Sequence, residues 1–254
     1  MLPITPFASI LPKADTAVLY IHGILGTPEH FHAFFPLAKQ FSQYSILLDG
    51  HGGNAKDFAK TSMAKWKSQV DSKIKELLAT HKYIILVAHS MGTLFAISAS
   101  IRYAVRVKGI FLMNVPLKVR IKPSLFGNCW KVFWNKARPE DVQAIAAQKA
   151  YGIGCDCKIW RYLGWIPRYL ELFREIRTVR QQISSISVPC LVFLSTQDEM
   201  VSISSTDFWG ECPYVELNKI PESAHFYYSP QDTDLMLHKF STFISDCVGA
   251  GTGQ

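Results

Sequence analysis

The sequence lacks the long apolar runs of a membrane protein and the N-terminal signal of a secreted protein. None of its apolar runs approaches the ~18 consecutive residues that are typical of a transmembrane helix. The N-terminal segment, residues 1–7, contains two prolines and no basic residue, unlike a secretory signal. We therefore expect a chain without a transmembrane segment, and a cytoplasmic location.

The six cysteines show no C-x-x-C spacing. A chain of 254 residues can bury a large core without disulfides, so reduced thiols are the expected state. Cys155 and Cys157 could begin a metal site, but no second pair of ligands follows at the spacing of a zinc finger. The sequence therefore predicts neither a metal nor an organic cofactor.

Acidic residues are scarce in one segment of the chain. Overall, 27 Lys and Arg stand against 20 Asp and Glu, a net charge of +7. Residues 116–187 hold 13 basic and 5 acidic residues, whereas the remainder is nearly neutral, with 14 against 15. The same segment contains four of the six tryptophans, namely Trp130, Trp134, Trp160 and Trp165.

Basic and aromatic residues interleaved in this way have three interpretations. They suit contact with an anionic lipid surface, they suit a negatively charged soluble substrate, or they form a solvated helical face whose tryptophans turn inward. Nucleic acid is not among the partners that we expect.

Strand-like and helix-like segments alternate along most of the chain. Apolar runs typical of buried strands occupy residues 16–21, 44–48, 83–87, 107–114, 188–195 and 213–217. Helices are predicted from Pro28 to about Phe41, over 62–78 and over 231–248. This alternation predicts an α/β fold with a mostly parallel sheet flanked by helices.

The alternation stops between residues 116 and 187, where no good strand run occurs. Helical stretches near 140–149 and 169–182 predict a helical cap inserted into the fold. The predicted domains are therefore a core of residues 1–115 and 188–248, a cap of residues 116–187, and a flexible tail of residues 249–254.

The stretch Ala88-His89-Ser90-Met91-Gly92 lies between a predicted strand and a predicted helix. A serine on such a turn, with small residues two positions before and after it, indicates a nucleophile elbow, because strand and helix nearly touch there. Ala88 and Gly92 meet this requirement, although the first position is usually glycine. The alternative is an ordinary helix that Ser90 caps at its N-terminus.

A serine hydroxyl needs a base within hydrogen-bond reach and an acid that orients the base. Asp198 and Glu199 follow one predicted strand, and His225 follows the next. Both positions lie just past the carboxyl ends of strands, where open α/β sheets place their sites. Either carboxylate could be the acid, and Asp198 could also only cap a turn.

Five sequence blocks carry a resemblance to a known family and occur in the same order as in that family: 20–26, 49–52, 88–92, 197–201 and 223–225. On these blocks the chain resembles small serine carboxylesterases of the α/β-hydrolase superfamily, in the group of bacterial carboxylesterases and monoacylglycerol lipases. The resemblance implies Ser90 as nucleophile, His225 as general base and then acid, and Asp198 as the orienting carboxylate. It also implies an oxyanion hole formed by the backbone N–H groups of Ile24 and Met91.

The remaining histidines receive supporting roles or none. His22 and Gly23 are expected to hold the oxyanion loop, and His89 the elbow together with its glycine, because neither histidine would face the serine hydroxyl. His51 lies in a glycine-rich loop and is not expected to be catalytic. His30 has no context beyond that of a surface or core histidine.

The expected function is hydrolysis of a small-molecule carboxylic ester, such as a short- or medium-chain acyl ester or a monoacylglycerol, through an acyl-enzyme. Thioesters are chemically close. A second reading is carbon–carbon bond hydrolysis of a vinylogous diketone acid by the same three residues, whose anionic substrate would suit a basic cap. A third is a binding protein without turnover, since fold alone does not settle function.

Overall fold

The computed structural model of the protein describes residues 4–134, 136–154, 156, 158–210 and 212–249. Residues 250–254 of the predicted flexible tail lie outside the described residues, whereas Gly249 ends a helix. Cys155 and Cys157, considered above as the start of a metal site, also lie outside them.

The described residues form seven strands in one sheet. The strands are β1 (Ala8–Ser9), β2 (Thr16–Ile21), β3 (Ser42–Ile46), β4 (Tyr83–His89), β5 (Val107–Met113), β6 (Cys190–Ser195) and β7 (Val215–Ile220). Their order is β1-β3-β2-β4-β5-β6-β7. Only β1 pairs antiparallel, with β3; every other pairing is parallel. The predicted α/β class with a mostly parallel sheet is confirmed.

Seven α-helices accompany the sheet in the described part of the chain. They are α1 (Ala55–Lys60), α2 (Met63–Thr80), α3 (Met91–Arg102), α4 (Pro123–Phe133), α5 (Val142–Ala150), α6 (Ile166–Arg180) and α7 (Pro230–Gly249). Short 3-10 turns cover Pro28–Phe31, Phe35–Ala38, Ile159–Trp165, Ile183–Ser185 and Ile203–Phe208.

The two faces of the sheet are buried against different helices. In β2, Leu19 and Ile21 pack into a cluster with α2, α3 and α6, whereas Val18 and Tyr20 pack with α7 and the turns after Pro28. Successive side chains of a strand point to opposite faces, so a strand covered on both sides is apolar throughout. This explains why the central strands are continuous apolar runs.

The helix predicted from Pro28 to Phe41 is wrong: the segment forms two 3-10 turns. Pro36 is the reason, because a proline inside a helix removes one backbone hydrogen bond and clashes with the preceding turn. Phe31 and Phe34 still face the core. The sequence reading also missed α1 and α4.

Residues 116–187 contain α4, α5, α6 and two 3-10 turns, and their described part has no strand, only isolated bridges at Val119 and Gly154. The second half of α6 is not separate from the core, because Ile176 and Val179 are buried in the cluster shared with α3. The boundaries of the cap therefore stay a prediction.

Gly92 lies where α3 crosses the end of β2. A Cβ atom at this position would lie 2.2 Å from the carbonyl oxygen of Ile21 and 2.7 Å from that of His22. Both neighbours are backbone atoms of a central strand and its loop, so they cannot move aside cheaply. The position requires glycine.

We expect Gly92→Ala to lower the free energy of unfolding by about 1–3 kcal/mol or more, because the new methyl group overpacks this contact. Gly127→Ala is the matched control, since a Cβ there meets nothing within 4 Å. On the exposed surface of α4 it should stabilise by about 0.5–1 kcal/mol. Denaturant titrations of both variants check this, and equal stabilities would contradict the close approach.

Candidate active site

Ser90 occupies a strained turn between β4 and α3. Its φ is 51° and its ψ −125°, a conformation that non-glycine residues seldom adopt. Its N–H donates to the carbonyl oxygen of Met113 at 2.9 Å, and the Thr93 hydroxyl donates to the Ser90 carbonyl oxygen at 2.6 Å. Strain of this kind persists only where the surroundings impose it, and it concentrates at functional sites.

The loop after β2 packs directly against this turn. A Cβ on Gly23 would lie 2.7 Å from the Cβ of Ser90, so only glycine lets the loop approach so closely. Ile24 follows in the same loop, and Met91 is the first residue of α3, where an N–H group has no acceptor within its own helix. Both predicted oxyanion donors therefore lie in segments that adjoin Ser90.

Asp198 and His225 form a buried pair beside the carboxyl ends of β6 and β7. The Nδ1 of His225 donates to the Asp198 Oδ2 at 2.7 Å, and both side chains are 1% exposed. The other oxygen of Asp198 accepts the N–H groups of Met200 and Val201, each at 2.7 Å. These donors fix the carboxylate so that its second oxygen faces the imidazole ring.

Glu199 contacts the same histidine in a different way. Its Oε2 accepts the backbone N–H of His225 at 3.1 Å, and the residue is buried. The geometry thus gives Asp198 the ring and Glu199 the backbone. Of the two carboxylates considered from the sequence, Asp198 is the one that hydrogen-bonds the imidazole ring.

The Nε2 of His225 is buried and has no hydrogen-bond partner among the described residues. Burial lowers the pKa of this imidazole, but the charge of Asp198, its hydrogen bond, and the charge of Glu199 outweigh burial and raise the pKa above 6.5. A ring nitrogen with no partner, on an imidazole whose other nitrogen is fixed, is suited to exchange a proton with a reacting group.

Asn114 is a site residue that the sequence reading missed. It follows β5 with a φ of 51°, and its Nδ2 donates to the carbonyl oxygens of Ala224 and His225, each at 3.3 Å. Its Oδ1 accepts the N–H of Ser195 at 2.9 Å. The side chain thus joins the loops that carry the acid and the histidine. Its position directly after a buried strand was the available signal, because Asn tolerates the left-handed region.

His89 supports the histidine loop as well as the elbow. Its Nε2 donates to the carbonyl oxygen of His225 at 3.0 Å, and its ring lies 3.9 Å from that of His30. Burial, followed by the charge of His225, lowers the pKa of His30 to about 3. His30 is therefore a neutral packing partner of His89, which agrees with the core alternative considered from the sequence.

His22 and His51 link the two loops behind the serine. The Nδ1 of His22 donates to the Gly23 carbonyl oxygen at 2.8 Å, and its Nε2 accepts the N–H of Leu48 at 3.0 Å. The Nε2 of His51 accepts the N–H of Leu25 at 3.1 Å. His22 thus contacts the loop that it was predicted to hold.

A cavity of about 350 Å³ lies between this loop and the insertion. Leu25 forms part of its wall, and the insertion supplies the rest: Cys129, Val132, Gln148, Tyr151, Ile153, Gly154, Tyr162, Trp165 and Tyr169. No Asp, Glu, Lys or Arg is among these lining residues. A cavity of this size and composition suits an uncharged, largely apolar group.

The reading in which the tryptophans of the insertion turn inward is wrong for three of them. Trp130, Trp134 and Trp160 are 54%, 58% and 66% exposed. Trp165 alone is half-buried, and its indole N–H donates to the carbonyl oxygen of Ala55 at 2.9 Å. Periodicity could not settle this, because it does not show which side of an insertion meets the core.

In the described part of the chain, no cluster of three or more His, Cys, Asp or Glu side chains is placed to hold a metal ion. No helix in that part combines the length and the apolar character that crossing a bilayer requires.

A model of the alpha/beta hydrolase fold family matches residues 16–150, more than half of the chain, and the protein belongs to this family. A thermostable monoacylglycerol lipase of Bacillus sp. (strain H-257) is 21% identical over 251 residues, with 93% of each chain covered. This supports the resemblance to lipases and esterases stated from the sequence.

Two solved structures share the fold. One, from the metagenome-derived lipolytic enzymes LipS and LipT, has a TM-score of 0.74 at 18% identity, covering 97% of this chain and 99% of its own. The monoacylglycerol lipase of Paleococcus ferrophilus has a TM-score of 0.67 at 16% identity, covering 95% and 99%.

Titration of His225 tests the assignment of the acid. Nitrogen NMR of the imidazole rings should give His225 a pKa above the ordinary value of about 6.5. Asp198→Asn should lower this pKa below the ordinary range, because burial then dominates. Glu199→Gln should lower it less, since the ring keeps its carboxylate partner. A larger fall of the His225 pKa in Glu199→Gln than in Asp198→Asn would show that Asp198 is not the acid.

Proposed function

We propose that the protein is a serine hydrolase that cleaves carboxylic esters through an acyl-enzyme. Ser90 is the nucleophile, His225 the general base and then acid, and Asp198 the carboxylate that orients the imidazole. The observation that carries the proposal is the state of His225. Its Nδ1 is held by Asp198 at 2.7 Å, while its buried Nε2 has no partner among the described residues.

In the first half of the reaction, the Ser90 Oγ attacks the ester carbonyl carbon while the Nε2 of His225 takes the hydroxyl proton. The carbonyl oxygen becomes an oxyanion, for which the N–H groups of Ile24 and Met91 are the proposed donors. Asp198 stabilises the imidazolium, in keeping with the raised pKa of His225. The intermediate then collapses: the bond between the carbonyl carbon and the alkoxy oxygen breaks, the imidazolium protonates this oxygen, and the alcohol leaves.

In the second half, a water molecule takes the place of the alcohol. His225 removes a proton from this water as it attacks the acyl carbon, and the second tetrahedral intermediate forms in the same donor pair. When the intermediate collapses, His225 returns the proton to the Ser90 Oγ and the carboxylic acid departs. The backbone of His225 is held at its N–H by Glu199 and at its carbonyl oxygen by His89.

The uncharged cavity wall supports an acyl ester of short or medium chain, or a monoacylglycerol, as the substrate class. Its aromatic and aliphatic side chains suit an acyl chain, and Leu25 links the cavity to the oxyanion loop. A thioester would fit in the same way. Carbon–carbon hydrolysis is less well supported, because its diketone acid carries a carboxylate and no cation lies among the lining residues.

Ser90→Ala should abolish turnover of a p-nitrophenyl acyl ester, since losing one triad member costs on the order of 10⁴–10⁶ in kcat. Gly127→Ala is the control, because its methyl group meets nothing within 4 Å. Wild-type kcat values for a series of esters of increasing acyl length, compared with kcat for a vinylogous diketone acid, also separate an esterase from a carbon–carbon hydrolase. Residual activity above a tenth of wild type would remove Ser90 from the role, and an inactive wild type would favour a binding protein.

The exposed surface of the insertion supports contact with an anionic lipid surface. Large apolar side chains are exposed on α4, at the residue that follows it and on the segment 159–170: Phe126, Trp130, Trp134, Ile159, Trp160, Leu163, Ile166 and Leu170. Trp130 adjoins the cavity residue Cys129 in sequence, and Leu163 adjoins Tyr162. Residues of the exposed apolar surface are thus sequence neighbours of residues that line the proposed substrate cavity.

Charge complements this surface. Each of the five acidic residues of the insertion has a basic partner within 4 Å, and for Glu175 this partner is Lys67, which lies outside the insertion. The insertion therefore keeps more basic residues than its own carboxylates can pair. Lys136 lies over the ring of Trp130 at 5.0 Å from its centre, and Lys158, which precedes Trp160 by two positions in the sequence, is exposed. Exposed cations near an anionic leaflet contribute about 1 kcal/mol each.

The paired change Lys136→Gln with Lys158→Gln should weaken binding to phosphatidylglycerol vesicles, and added salt should weaken binding of the wild type, because exposed charges are screened within about 10 Å at 0.1 M. Binding is measured by vesicle co-sedimentation. The matched control is Lys39→Gln with Lys219→Gln, which removes two exposed lysines outside the insertion. Equal losses in both pairs, or no dependence on salt, would contradict the lipid contact.

We also propose that residues 116–187 form a cap over the core and that the protein is cytoplasmic. The cavity between the insertion and the core supports the first. The cysteines at 129, 190, 212 and 247, which are those that the structure describes, are all free, which supports a reducing compartment.

A further inference from the structure

Two buried histidines lie on neighbouring loops, and each accepts a hydrogen bond from a backbone N–H of the other's loop. His22 lies at the start of the oxyanion loop and accepts the N–H of Leu48 from the glycine-rich loop at 3.0 Å. His51 lies in the glycine-rich loop and accepts the N–H of Leu25 from the oxyanion loop at 3.1 Å. The ring centres are 4.8 Å apart in an edge-on arrangement. We call His22 and His51 the reciprocal histidine pair.

The partners of each ring fix its tautomer. The Nδ1 of His51 lies 3.1 Å from the carbonyl oxygen of Leu48, which can only accept, so this nitrogen carries the proton. The Nε2 must then be the unprotonated nitrogen that accepts the N–H of Leu25. Burial lowers the pKa of His51 to about 4, even though its backbone hydrogen bonds raise it. The ring is therefore neutral at neutral pH, and its Nε2 is free of a proton and can accept the N–H of Leu25.

The peptide that His51 holds is the one that the oxyanion loop needs to keep in place. Leu25 has a φ of 61°, which is costly for a residue with a branched side chain. Its N–H belongs to the peptide that follows Ile24, the proposed oxyanion donor. Without an acceptor this N–H would be a buried, unpaired donor, and the loop would gain by turning it toward another partner.

The other side of Leu25 faces the insertion. Its carbonyl oxygen accepts the N–H of Gly152 at 2.7 Å, and its side chain forms part of the cavity wall. Loop, insertion and cavity thus meet at Leu25, whose N–H donates to the imidazole of His51.

We infer that His51 is a positioning residue for the oxyanion loop: its neutral Nε2 fixes the peptide between Ile24 and Leu25, and through it the direction of the Ile24 N–H. The inference rests on the proposed function, because it concerns the donor that stabilises the oxyanion on the carbonyl attacked by Ser90. His51 itself touches neither the substrate nor the reacting atoms.

Three variants separate this role from simple packing. His51→Gln keeps an acceptor near the position of the Nε2, His51→Leu fills the space without an acceptor, and His51→Asn is polar but too short to reach the N–H of Leu25. His81→Leu is the matched control, because His81 is also buried but hydrogen-bonds at the end of α2. Melting temperatures show which variants fold, and the Gln and Asn pair carries the test if the Leu variant does not.

Steady-state kinetics on a p-nitrophenyl ester give the first readout. We expect kcat of His51→Leu and His51→Asn to fall by about 10²-fold with KM changed by less than about threefold, because a misplaced oxyanion donor acts on the transition state alone. His51→Gln should recover most of kcat, and His81→Leu should match the wild type.

Inhibitor binding gives a readout that a merely structural role would not move. A trifluoromethyl ketone adds to the serine: the Oγ–carbon bond forms, the carbonyl becomes an oxyanion, and the hydroxyl proton passes to His225. Its inhibition constant should rise in parallel with the loss of kcat, whereas an unreactive ether of the same length should bind every variant equally.

The outcomes are distinguishable. Wild-type kcat in His51→Leu or His51→Asn, or an equal loss of ketone and ether binding, would overturn the positioning role while leaving the proposed hydrolase intact. An inactive wild type that does not bind the ketone would instead remove the proposed function itself.

Discussion

The geometry of the candidate site depends on how closely three backbone segments approach one another at the end of β2. A Cβ on Gly92 would lie 2.2 Å from the carbonyl oxygen of Ile21, and one on Gly23 would lie 2.7 Å from the Cβ of Ser90. The end of β2, the loop that follows it and the serine turn are therefore packed so closely that only glycine fits at the two contact points. The positive φ of Ser90 is part of the same contact, because β4 must reverse into α3 within a single residue. Hydrogen bonds around the turn offset its strain.

Buried polar groups complete what this contact begins. A charge without a partner would be costly at this depth, so each carboxylate has donors: Asp198 accepts from His225 and two backbone N–H groups, and Glu199 accepts from the His225 backbone. Asn114 and His89 hold the carbonyl oxygen of the same residue. The backbone of His225 is therefore held at both its N–H and its carbonyl oxygen.

Much of this could be predicted from the sequence, because strands covered on both faces are continuous apolar runs and the serine, acid and histidine follow such runs in order. The elbow glycine was also visible, since small residues flank the serine at fixed spacing. The hydrogen-bond partners of His51 and Asn114 could not be predicted, because they are backbone N–H and carbonyl groups dozens of residues away that only the folded chain brings near these side chains. The exposure of the tryptophans depends likewise on how the insertion docks.

The central claim is that the strained serine is the nucleophile that the buried imidazole activates. The most direct test is peptide mapping by mass spectrometry after reaction of the folded protein with an alkyl fluorophosphonate. The account predicts one phosphonyl group per chain, on the peptide that contains Ser90, with the reaction slowed in Asp198→Asn. An adduct on another residue, or turnover of an ester by protein that takes up no phosphonyl group, would contradict it.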